Sequence, residues 1–261
     1  MDLSEIQKWR YDRQLMLPEV GYAGQQKLLA ARVLVVGVGG LGSPAAFYLA
    51  AAGVGTIGLL DDDVVELSNL QRQVLHATAD LGRQKIESGA EKLHALNPEL
   101  QLRKHAVPLT KVNAAIICAD YDFIVDAMDN FKSKLQLADA CHILGKPYSH
   151  AGILGFFGQT MTVMPGQSAC SRCLLCEDDC ADQAVAGVIG SAPGVIGAIQ
   201  AVEAVKYIIG AGGLLTNTLL ACDLLNMQFR RVAVRRRPSC PLCGVEKSQN
   251  NGDQPQQVVK S

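Results

Sequence analysis

A turn rich in glycine, placed between two apolar runs, is the first feature of the sequence that could do chemistry. It follows the run 32–36, and its glycines are Gly37, Gly39, Gly40 and Gly42. Glycines there allow a tight turn in which backbone N–H groups approach a phosphate, and a helix that begins there adds a partial positive charge. Asp61 ends the next apolar run, where its carboxylate would accept hydrogen bonds from ribose hydroxyls. These residues predict a nucleotide-binding turn, for which NAD, FAD and ATP all remain candidates.

Two cations in the polar stretch after Asp61 bear on which nucleotide binds. Arg72 and Lys85 both follow the second apolar run, close to the predicted nucleotide edge of the sheet. An oxidoreductase that binds NAD has little use for two cations there, whereas an enzyme acting on a triphosphate needs them, because charge builds on the phosphoryl oxygens. For Lys85 alone, a solvated surface charge would be the simpler interpretation. Together the two residues favour ATP.

The chain has nine cysteines, an odd number, among its 261 residues. Its first residues lack the apolar segment of a signal peptide, so the sequence favours a reducing compartment, the cytoplasm, with metal-binding or catalytic thiols. Cys170 and Cys173 form one Cys-x-x-Cys pair, and Cys240 and Cys243 form another. Each pair can present two thiolates to one tetrahedral Zn²⁺. Spacing alone leaves open a shared zinc site, two separate redox pairs or free core thiols.

Two further cysteines complicate the first pair. Cys176 is an equally well spaced partner for Cys173, and Cys180 follows it. The resulting run is similar to a ferredoxin spacing, but no proline follows its fourth cysteine and only one such run exists, so an iron–sulfur cluster is disfavoured. The remaining cysteines are interpreted as small core residues, and they are Cys118, Cys141 and Cys222.

The elements that must position these residues alternate in the first half of the chain. Short apolar runs typical of strands, interspersed with helical patterns at 41–52 and 80–96, cover 32–36, 56–60, 100–107 and 123–125. This alternation predicts an α/β fold with a Rossmann-like, mainly parallel sheet flanked by helices.

The second half of the chain is less regular. A glycine-rich apolar segment, 148–164, is expected to continue the sheet, and 194–210 is predicted to be a long helix buried by the core or by a subunit partner. Additional strands are expected at 218–222 and 229–234. We interpret 1–246 as one domain made of an N-terminal arm, a nucleotide half and a half with the cysteine pairs, which cover 1–30, 31–147 and 148–246. The polar tail, 247–261, is predicted to be disordered.

The overall charge excludes some classes of partner. The chain has 24 Lys and Arg residues against 25 Asp and Glu residues, a net charge of −1, which argues against a general binder of nucleic acid or acidic membranes. Five arginines between positions 230 and 237 keep a tRNA acceptor open. The most apolar stretch, 184–199, is interrupted by glycine and proline and is shorter than a span of about 20 residues, so no membrane helix is expected.

Several motifs together resemble one family, the ThiF/MoeB/HesA group of bacterial relatives of the ubiquitin-activating enzymes. The resemblance covers about Trp9 to Cys243. It rests on the glycine turn, the two cysteine pairs and four polar strings, which are Arg10-Tyr11-Asp12-Arg13-Gln14, Ser68-Asn69-Leu70-Gln71-Arg72-Gln73, Gly82-Arg83-Gln84-Lys85 and Asp126 to Asn130. It implies an adenylyltransferase that uses ATP to adenylate the C-terminal glycine carboxylate of a small ubiquitin-like sulfur-carrier protein. Pyrophosphate would be released, and the carrier would be activated for sulfur transfer.

The resemblance also implies roles for individual residues. Asp61 would bind the ribose beside Gly40, Asp129 would coordinate Mg²⁺, and Arg13 would reach the active site of the partner in a homodimer. The cofactor and its phosphates would further be held by Asn69, Arg72, Gln73, Lys85, Asp63 and Asn130. Both cysteine pairs would bind one structural Zn²⁺, since four protein ligands leave no open position for catalysis. The half that holds these pairs, 148–246, would also bind the carrier.

The residue types fit this reaction. Its nucleophile, a C-terminal carboxylate, is already ionised at pH 7 and needs no general base. The negative charge of the phosphates, in contrast, has to be stabilised by cations and a metal ion. The histidines are accordingly interpreted as structural, and His150 is the single site candidate among them.

Whether the chain has a functional thiol stays undecided from the sequence. Family members with such a thiol carry it three residues before an Ala-Gly-Val, which is 186–188 here, and position 183 is glutamine. Cys180 would take that role only if the loop is re-registered, and its acidic neighbours would raise the pKa of its thiol and slow its reaction. Because no rhodanese-like extension follows Cys243, we expect a separate sulfur donor.

Other functions remain open at this point. An enzyme of the same fold could adenylate a peptide or a tRNA base. An NAD-dependent oxidoreductase would explain the glycine turn only, and a non-catalytic scaffold held by zinc would explain the cysteines only.

Overall fold

Apolar runs in the first half of the chain form the parallel part of an eight-stranded sheet. The computed structural model describes residues 2–175 and 187–244. The parallel strands are β1 (Arg32–Val36), β2 (Thr56–Leu60), β3 (Gln101–His105), β4 (Phe123–Asp126) and β5 (Tyr148–Leu154). Their order, β3-β2-β1-β4-β5, places the carboxyl ends of β2, β1 and β4 side by side. Ligands bind at such an edge in sheets of this kind.

The sheet continues through three antiparallel strands, which are β6 (Phe157–Val163), β7 (Thr218–Asp223) and β8 (Gln228–Ala233). The segment 148–164, predicted as a continuation of the sheet, is a hairpin of β5 and β6. It turns at Gly155, whose φ of +61° is a left-handed conformation that favours glycine. β3 and β8 are the two edge strands of the sheet, and all six residues of β8 are exposed.

Helices cover both faces of the sheet. They are α1 (Glu5–Arg10), α2 (Asp12–Leu15), α3 (Gly21–Ala30), α4 (Gly42–Ala52), α5 (Lys85–Leu96), α6 (Lys111–Cys118), α7 (Phe131–Leu144), α8 (Ser171–Leu174) and α9 (Ser191–Ile209). Alternate residues of a strand point to opposite faces. Val33 and Val35 therefore pack with α4, α5 and α9, while Leu34 and Val36 pack with α6 and α7. The predicted fold class is confirmed.

One helix begins later than predicted, and six of the described helices were not predicted. The pattern at 80–96 is α-helical only from Lys85, because the Asp80 carboxylate accepts the N–H of Ala77 at 2.8 Å and closes a short 3-10 turn. Gly82, with a φ of +79°, then redirects the chain. The helices that the sequence patterns did not reveal are α1, α2, α3, α6, α7 and α8. Three of them, α1, α6 and α7, begin behind a side-chain cap.

Among the described residues, α9 alone has the length and hydropathy of a membrane span. Half of its apolar window is buried within the protein, and it packs against α4, β5 and β6, as a core helix does. Its buried polar residues Gln200 and Glu203 make hydrogen bonds inside the core, although Gln200 Oε1 has no partner among the described residues. Gln200 Nε2 donates to the carbonyl of Asp126 at 2.9 Å, and Glu203 Oε2 accepts the N–H of Leu215 at 2.7 Å.

The five cysteines outside the two Cys-x-x-Cys pairs divide between the core and undescribed parts of the chain. Cys118, Cys141 and Cys222 are buried, which confirms their interpretation as core residues. Cys176 and Cys180 lie outside the described residues, as does the tail 247–261. The predictions made for them stay predictions.

Candidate functional site

Two positions of the glycine turn adopt a geometry that only glycine fits. Gly37 has a φ of +93°, and a Cβ there would lie 2.7 Å from the carbonyl oxygen of Ala127. A Cβ on Gly42 would lie 1.9 Å from the carbonyl oxygen of Gly37. The turn is therefore as tight as the sequence predicts. The N–H groups of Gly39 and Gly40 find no acceptor within the described ranges, so they are available to a ligand.

Asp61 follows β2 and stabilises the glycine turn by hydrogen bonding. Its Oδ2 accepts the N–H of Val38 at 2.7 Å, and its Oδ1 accepts the N–H of Asp63 at 2.9 Å. Burial raises the pKa of Asp61, and the positive charge of Lys85 opposes that shift. Because a carboxylate offers about four acceptor positions, Asp61 keeps capacity for the hydroxyls of a ribose.

Lys85 stands at the start of α5, beside the same strand end. Its Nζ donates to Asp63 Oδ2 at 2.7 Å, and its backbone N–H donates to the Asp63 carbonyl at 3.0 Å. Lys85 is 5% exposed, whereas the side chain of Asp63 is 69% exposed. Since Asp63 can return to water at small cost, an anionic ligand can compete with it for the ammonium group.

The polar string after β2 folds back over the turn. Gln73 is buried against Gly39, where its Nε2 lies 3.4 Å from the position of a Cβ. Its Oε1 has no hydrogen-bond partner in the part of the chain that is described. Arg72 passes Gly40, with its Cγ 3.5 Å from a Cβ position there, and its Nη1 donates to the Ser68 carbonyl at 3.0 Å. Gln73 and Arg72 thus lie against the turn, next to the predicted phosphates.

Three other predicted site residues differ in how their side chains are engaged. Asn69 Oδ1 accepts the N–H of Glu66 at 3.3 Å within a short 3-10 turn. Asn130 Oδ1 accepts the N–H of Ser133 at 2.9 Å and caps α7. Asp129 is exposed and makes no hydrogen bond or ion pair with another described residue. Of the three, Asp129 is the one whose side chain makes none of these contacts with the described residues.

A buried charged group next to this site escaped prediction. Asp126 ends β4, and its carboxylate accepts from Lys134 Nζ and from His150 Nδ1, each at 3.0 Å, and from the Met128 N–H at 3.2 Å. Burial acts to raise the pKa of Asp126, but Lys134 and His150 outweigh it and lower that pKa, while burial lowers the pKa of His150. The only sequence signals were the strand end and His150, because Lys134 falls in the unrecognised helix α7.

Arg13 lies away from the turn of its own chain. Its guanidinium is exposed, with Nε 3.8 Å from an Asp12 carboxylate oxygen and Nη1 3.8 Å from the sulfur of Met16. The neighbouring Tyr11 is buried, and its hydroxyl accepts from Asn97 Nδ2 at 3.1 Å. The arm is therefore anchored to the body while Arg13 projects from it.

The fold brings the two cysteine pairs together. The Sγ of Cys170 lies 3.6 Å from that of Cys240 and 4.0 Å from that of Cys173, and the Sγ atoms of Cys173 and Cys243 are 3.4 Å apart. All four sulfurs lie within 4.8 Å of one another. Zn–S bonds in a tetrahedron place the sulfurs about 3.8 Å apart. The four residues therefore fit a tetrahedral zinc site.

The surroundings of Cys170, Cys240 and Cys243 shift the pKa values of their thiols in different directions. Burial raises the pKa of Cys170 far above its ordinary value and raises that of Cys243 to about 11. At Cys240, burial acts in the same direction, but N–H groups of Cys243 and Leu242 outweigh it and lower the pKa to about 7. The thiolate is the form that binds a metal, and Cys240 reaches it near neutral pH.

Comparisons with known proteins show the family to which the chain belongs. The model of the ThiF family matches residues 11–242. The chain is 44% identical over 248 residues to the SAMP-activating enzyme E1 of Haloferax volcanii, a match that covers 94% of this chain and 92% of that protein. It is 43% identical over 252 residues to the sulfur carrier protein adenylyltransferase of Thermus thermophilus, with 92% of each chain covered.

A solved structure shares the fold. The crystal structure of E. coli MccB with MccA-N7isoASN matches with a TM-score of 0.82 and 23% identity, over 93% of this chain and 75% of that one. At that identity the likeness shows the fold alone. The family model and the two relatives rest on the sequence itself, and by them this chain belongs to the ThiF family.

Proposed function

We propose that this protein is an adenylyltransferase that uses ATP to adenylate the C-terminal glycine carboxylate of a small ubiquitin-like sulfur-carrier protein. Pyrophosphate is released, and the carrier is activated for sulfur transfer. The observation that carries the proposal is the meeting of the glycine turn, Asp61, Lys85 and Asp129 at one edge of the sheet. The two relatives named for carrier activation, each matched over 92% of its length, support it.

The reaction brings one anion onto another, and the side chains suit that problem. A carboxylate oxygen forms a bond to the α-phosphorus while the bond from that phosphorus to the departing pyrophosphate breaks. Because the carboxylate is already ionised at pH 7, no general base is required. Arg72 and Lys85 hold the phosphates and stabilise the charge on the pyrophosphate, and the free N–H groups of Gly39 and Gly40 add to this. Asp61 orients the nucleotide through its ribose.

Asp129 is proposed to hold Mg²⁺. Its carboxylate is exposed and has no partner among the residues described, and carboxylate oxygen is the ligand type that Mg²⁺ prefers. When bound, the ion would neutralise charge on phosphate oxygens. Asn130 contributes by capping α7 directly behind Asp129, while Gln73 and Asn69 complete the wall of the site.

A homodimer is proposed in which Arg13 enters the site of the partner. Arg13 projects from an anchored arm and does not contact the turn of its own chain within the described ranges. Large apolar side chains are exposed on the arm, at Trp9 and Met16, and on the α4 and α9 surface, at Tyr48 and Val202. An interface between two copies would cover such residues.

Exchange of labelled pyrophosphate into ATP tests the proposed reaction. With a candidate carrier that ends in Gly-Gly, the purified protein should incorporate label into ATP, and the same carrier without its terminal glycine should support none. Exchange that depends on a tRNA or a peptide, or turnover of NADH, together with no exchange for any carrier, would refute the proposal.

A structural Zn²⁺ is proposed at Cys170, Cys173, Cys240 and Cys243, whose sulfur spacing fits it. We expect about one zinc per chain by elemental analysis, and loss of that zinc in Cys240→Ser. Cys222→Ser, which changes a buried thiol outside the cluster, is the matched control and should keep the metal. Full zinc content in Cys240→Ser would contradict the assignment.

The remaining parts of the proposal are a separate sulfur donor, a cytoplasmic location and a single domain over 1–246, the last supported by the single sheet that both halves share. Cys180→Ser decides the role of that thiol. Unchanged sulfur transfer in this variant would remove Cys180 from the mechanism.

A further inference from the structure

The peptide that joins Val38 to Gly39 is held on one side by a histidine. His76 Nε2 lies 3.0 Å from the carbonyl oxygen of Val38. A carbonyl oxygen only accepts, so Nε2 carries the proton and donates it. A peptide unit is planar and trans, so its N–H points away from its carbonyl oxygen. With the carbonyl held at His76, the Gly39 N–H is turned to the opposite side, where no described residue accepts it.

The ring of His76 is fixed at its second nitrogen as well. Nδ1 lies 2.9 Å from the Ser88 hydroxyl and accepts its proton. The Ser88 oxygen accepts in turn from Lys92 Nζ at 3.2 Å, and the same ammonium pairs with the buried carboxylate of Asp80. Burial lowers the pKa of His76, and the nearby charge of Lys85 acts in the same direction. The neutral ring, with its proton on Nε2, is therefore the form present at pH 7.

The opposite side of Val38 is held by a second side chain. The Val38 N–H donates to Asp61 Oδ2 at 2.7 Å. The peptides before and after Val38 are thus fixed by Asp61 and His76 and not by a helix or a sheet. Gly39 has no side chain to restrict rotation of its peptide. Without the donor on His76, the peptide between Val38 and Gly39 can rotate and turn its carbonyl oxygen, rather than its N–H, toward the ligand.

We infer that His76 is a positioning residue of the nucleotide site, which by holding the Val38 carbonyl aims the Gly39 N–H at a phosphate. The inference rests on the proposed function, because that function places the phosphates at the turn. His76 touches neither nucleotide nor carrier, and it acts through the backbone. It explains why a buried histidine with both nitrogens engaged lies directly beneath a turn made almost entirely of glycine.

Two amide variants separate the two ring nitrogens. The amide nitrogen of His76→Gln reaches the place of Nε2 and can still donate to the Val38 carbonyl, whereas that of His76→Asn reaches only the place of Nδ1. We expect the dissociation constant of ATP, measured by calorimetry without any carrier, to rise about tenfold in His76→Asn and to stay within about threefold of wild type in His76→Gln. In the exchange assay, the KM for ATP rises in His76→Asn and the KM for the carrier does not.

Several outcomes would overturn the inference. They are an unchanged dissociation constant in His76→Asn, equal losses in His76→Asn and His76→Gln, or a KM change shared by ATP and carrier. The nitrogen chemical shifts of His76 in the wild-type protein need no variant, and a proton found on Nδ1 would also overturn it. Because ATP binding is measured without a carrier, intact ATP binding with no carrier-dependent exchange counts against the proposed function alone.

Discussion

Charged side chains at the carboxyl ends of β2 and β4 fall into two groups. In the buried group, Asp126, Lys134 and His150 satisfy one another, and each is at most 5% exposed. The open group is defined as Arg72, Lys85 and Asp129. Its cations bind only a backbone carbonyl or the exposed Asp63, and its carboxylate has no partner among the described residues.

The difference between these groups has a physical basis. A charge removed from water is strongly destabilising unless a partner of opposite sign meets it. The buried group therefore links the end of β4 to α7 and β5, and its charges are paired with one another. A charge whose partner is exposed is held weakly, so the open group is the one that can exchange its partners for a ligand. Proximity to a site thus does not by itself distinguish functional charges from structural ones.

Deleting the cation of the buried group should have the largest effect. Lys134→Met leaves the Asp126 carboxylate in the core without its ammonium partner, and we expect the free energy of unfolding to fall by about 3–5 kcal/mol. The matched control is Lys104→Met. It removes a surface ion pair in which Lys104 Nζ lies 2.8 Å from Glu87 Oε2, and it should lower the free energy of unfolding by about 0–1 kcal/mol. Urea unfolding measures both. Equal losses of unfolding free energy in the two variants would contradict the difference between buried and surface ion pairs.

Deleting a cation of the open group should give the opposite pattern. In Lys85→Met we expect pyrophosphate exchange to fall about 10²–10³-fold, as for loss of one group that stabilises transition-state charge. The free energy of unfolding should change by less than about 1 kcal/mol, because Asp63 returns to water. Lys104→Met again serves as the control and should exchange at the wild-type rate. A Lys85→Met protein that loses stability but exchanges normally would move Lys85 into the buried group.

Lowering the pH should reduce the difference in the free energy of unfolding between wild type and Lys134→Met. In the wild type, the pKa of Asp126 lies below its ordinary value, so its contribution to stability is present above about pH 4 and is lost as the pH falls through the folded pKa. In Lys134→Met the Asp126 carboxyl has lost its ammonium partner and keeps only His150 and the Met128 N–H, so it takes up a proton at higher pH, which removes the buried charge. Unfolding measured from neutral to acidic pH should show the two curves converging. A constant gap would mean that Asp126 is not the group responsible.

The sequence could reveal features that depend on neighbouring residues only. The glycine turn after β1 and Asp61 at the end of β2 were predictable, because strand, turn, helix and acid follow one another along the chain. The late start of α5 was missed although its cause is also local, because the apolar pattern does not register the Asp80 carboxylate, which accepts the Ala77 N–H and closes a separate turn.

Features made by distant residues lay beyond sequence patterns. The pair Cys170 and Cys173 was visible, but only the fold sets Cys240 3.6 Å from Cys170 and so favours one site over two. Lys134 and His76 are polar residues whose surroundings come from other elements, and their burial has no local signature. For this reason the buried group and the contact beneath the turn both escaped prediction.

The exposure of β8 affects how copies of this protein meet one another. An edge strand offers unpaired N–H and C=O groups, on which a second sheet can grow. β8 carries Arg230 and Arg231 at its middle, both exposed. Two such strands that paired antiparallel through this region would set guanidinium groups beside guanidinium groups, which is destabilising. The arginines therefore disfavour pairing of two copies through this strand, which the other described residues leave exposed.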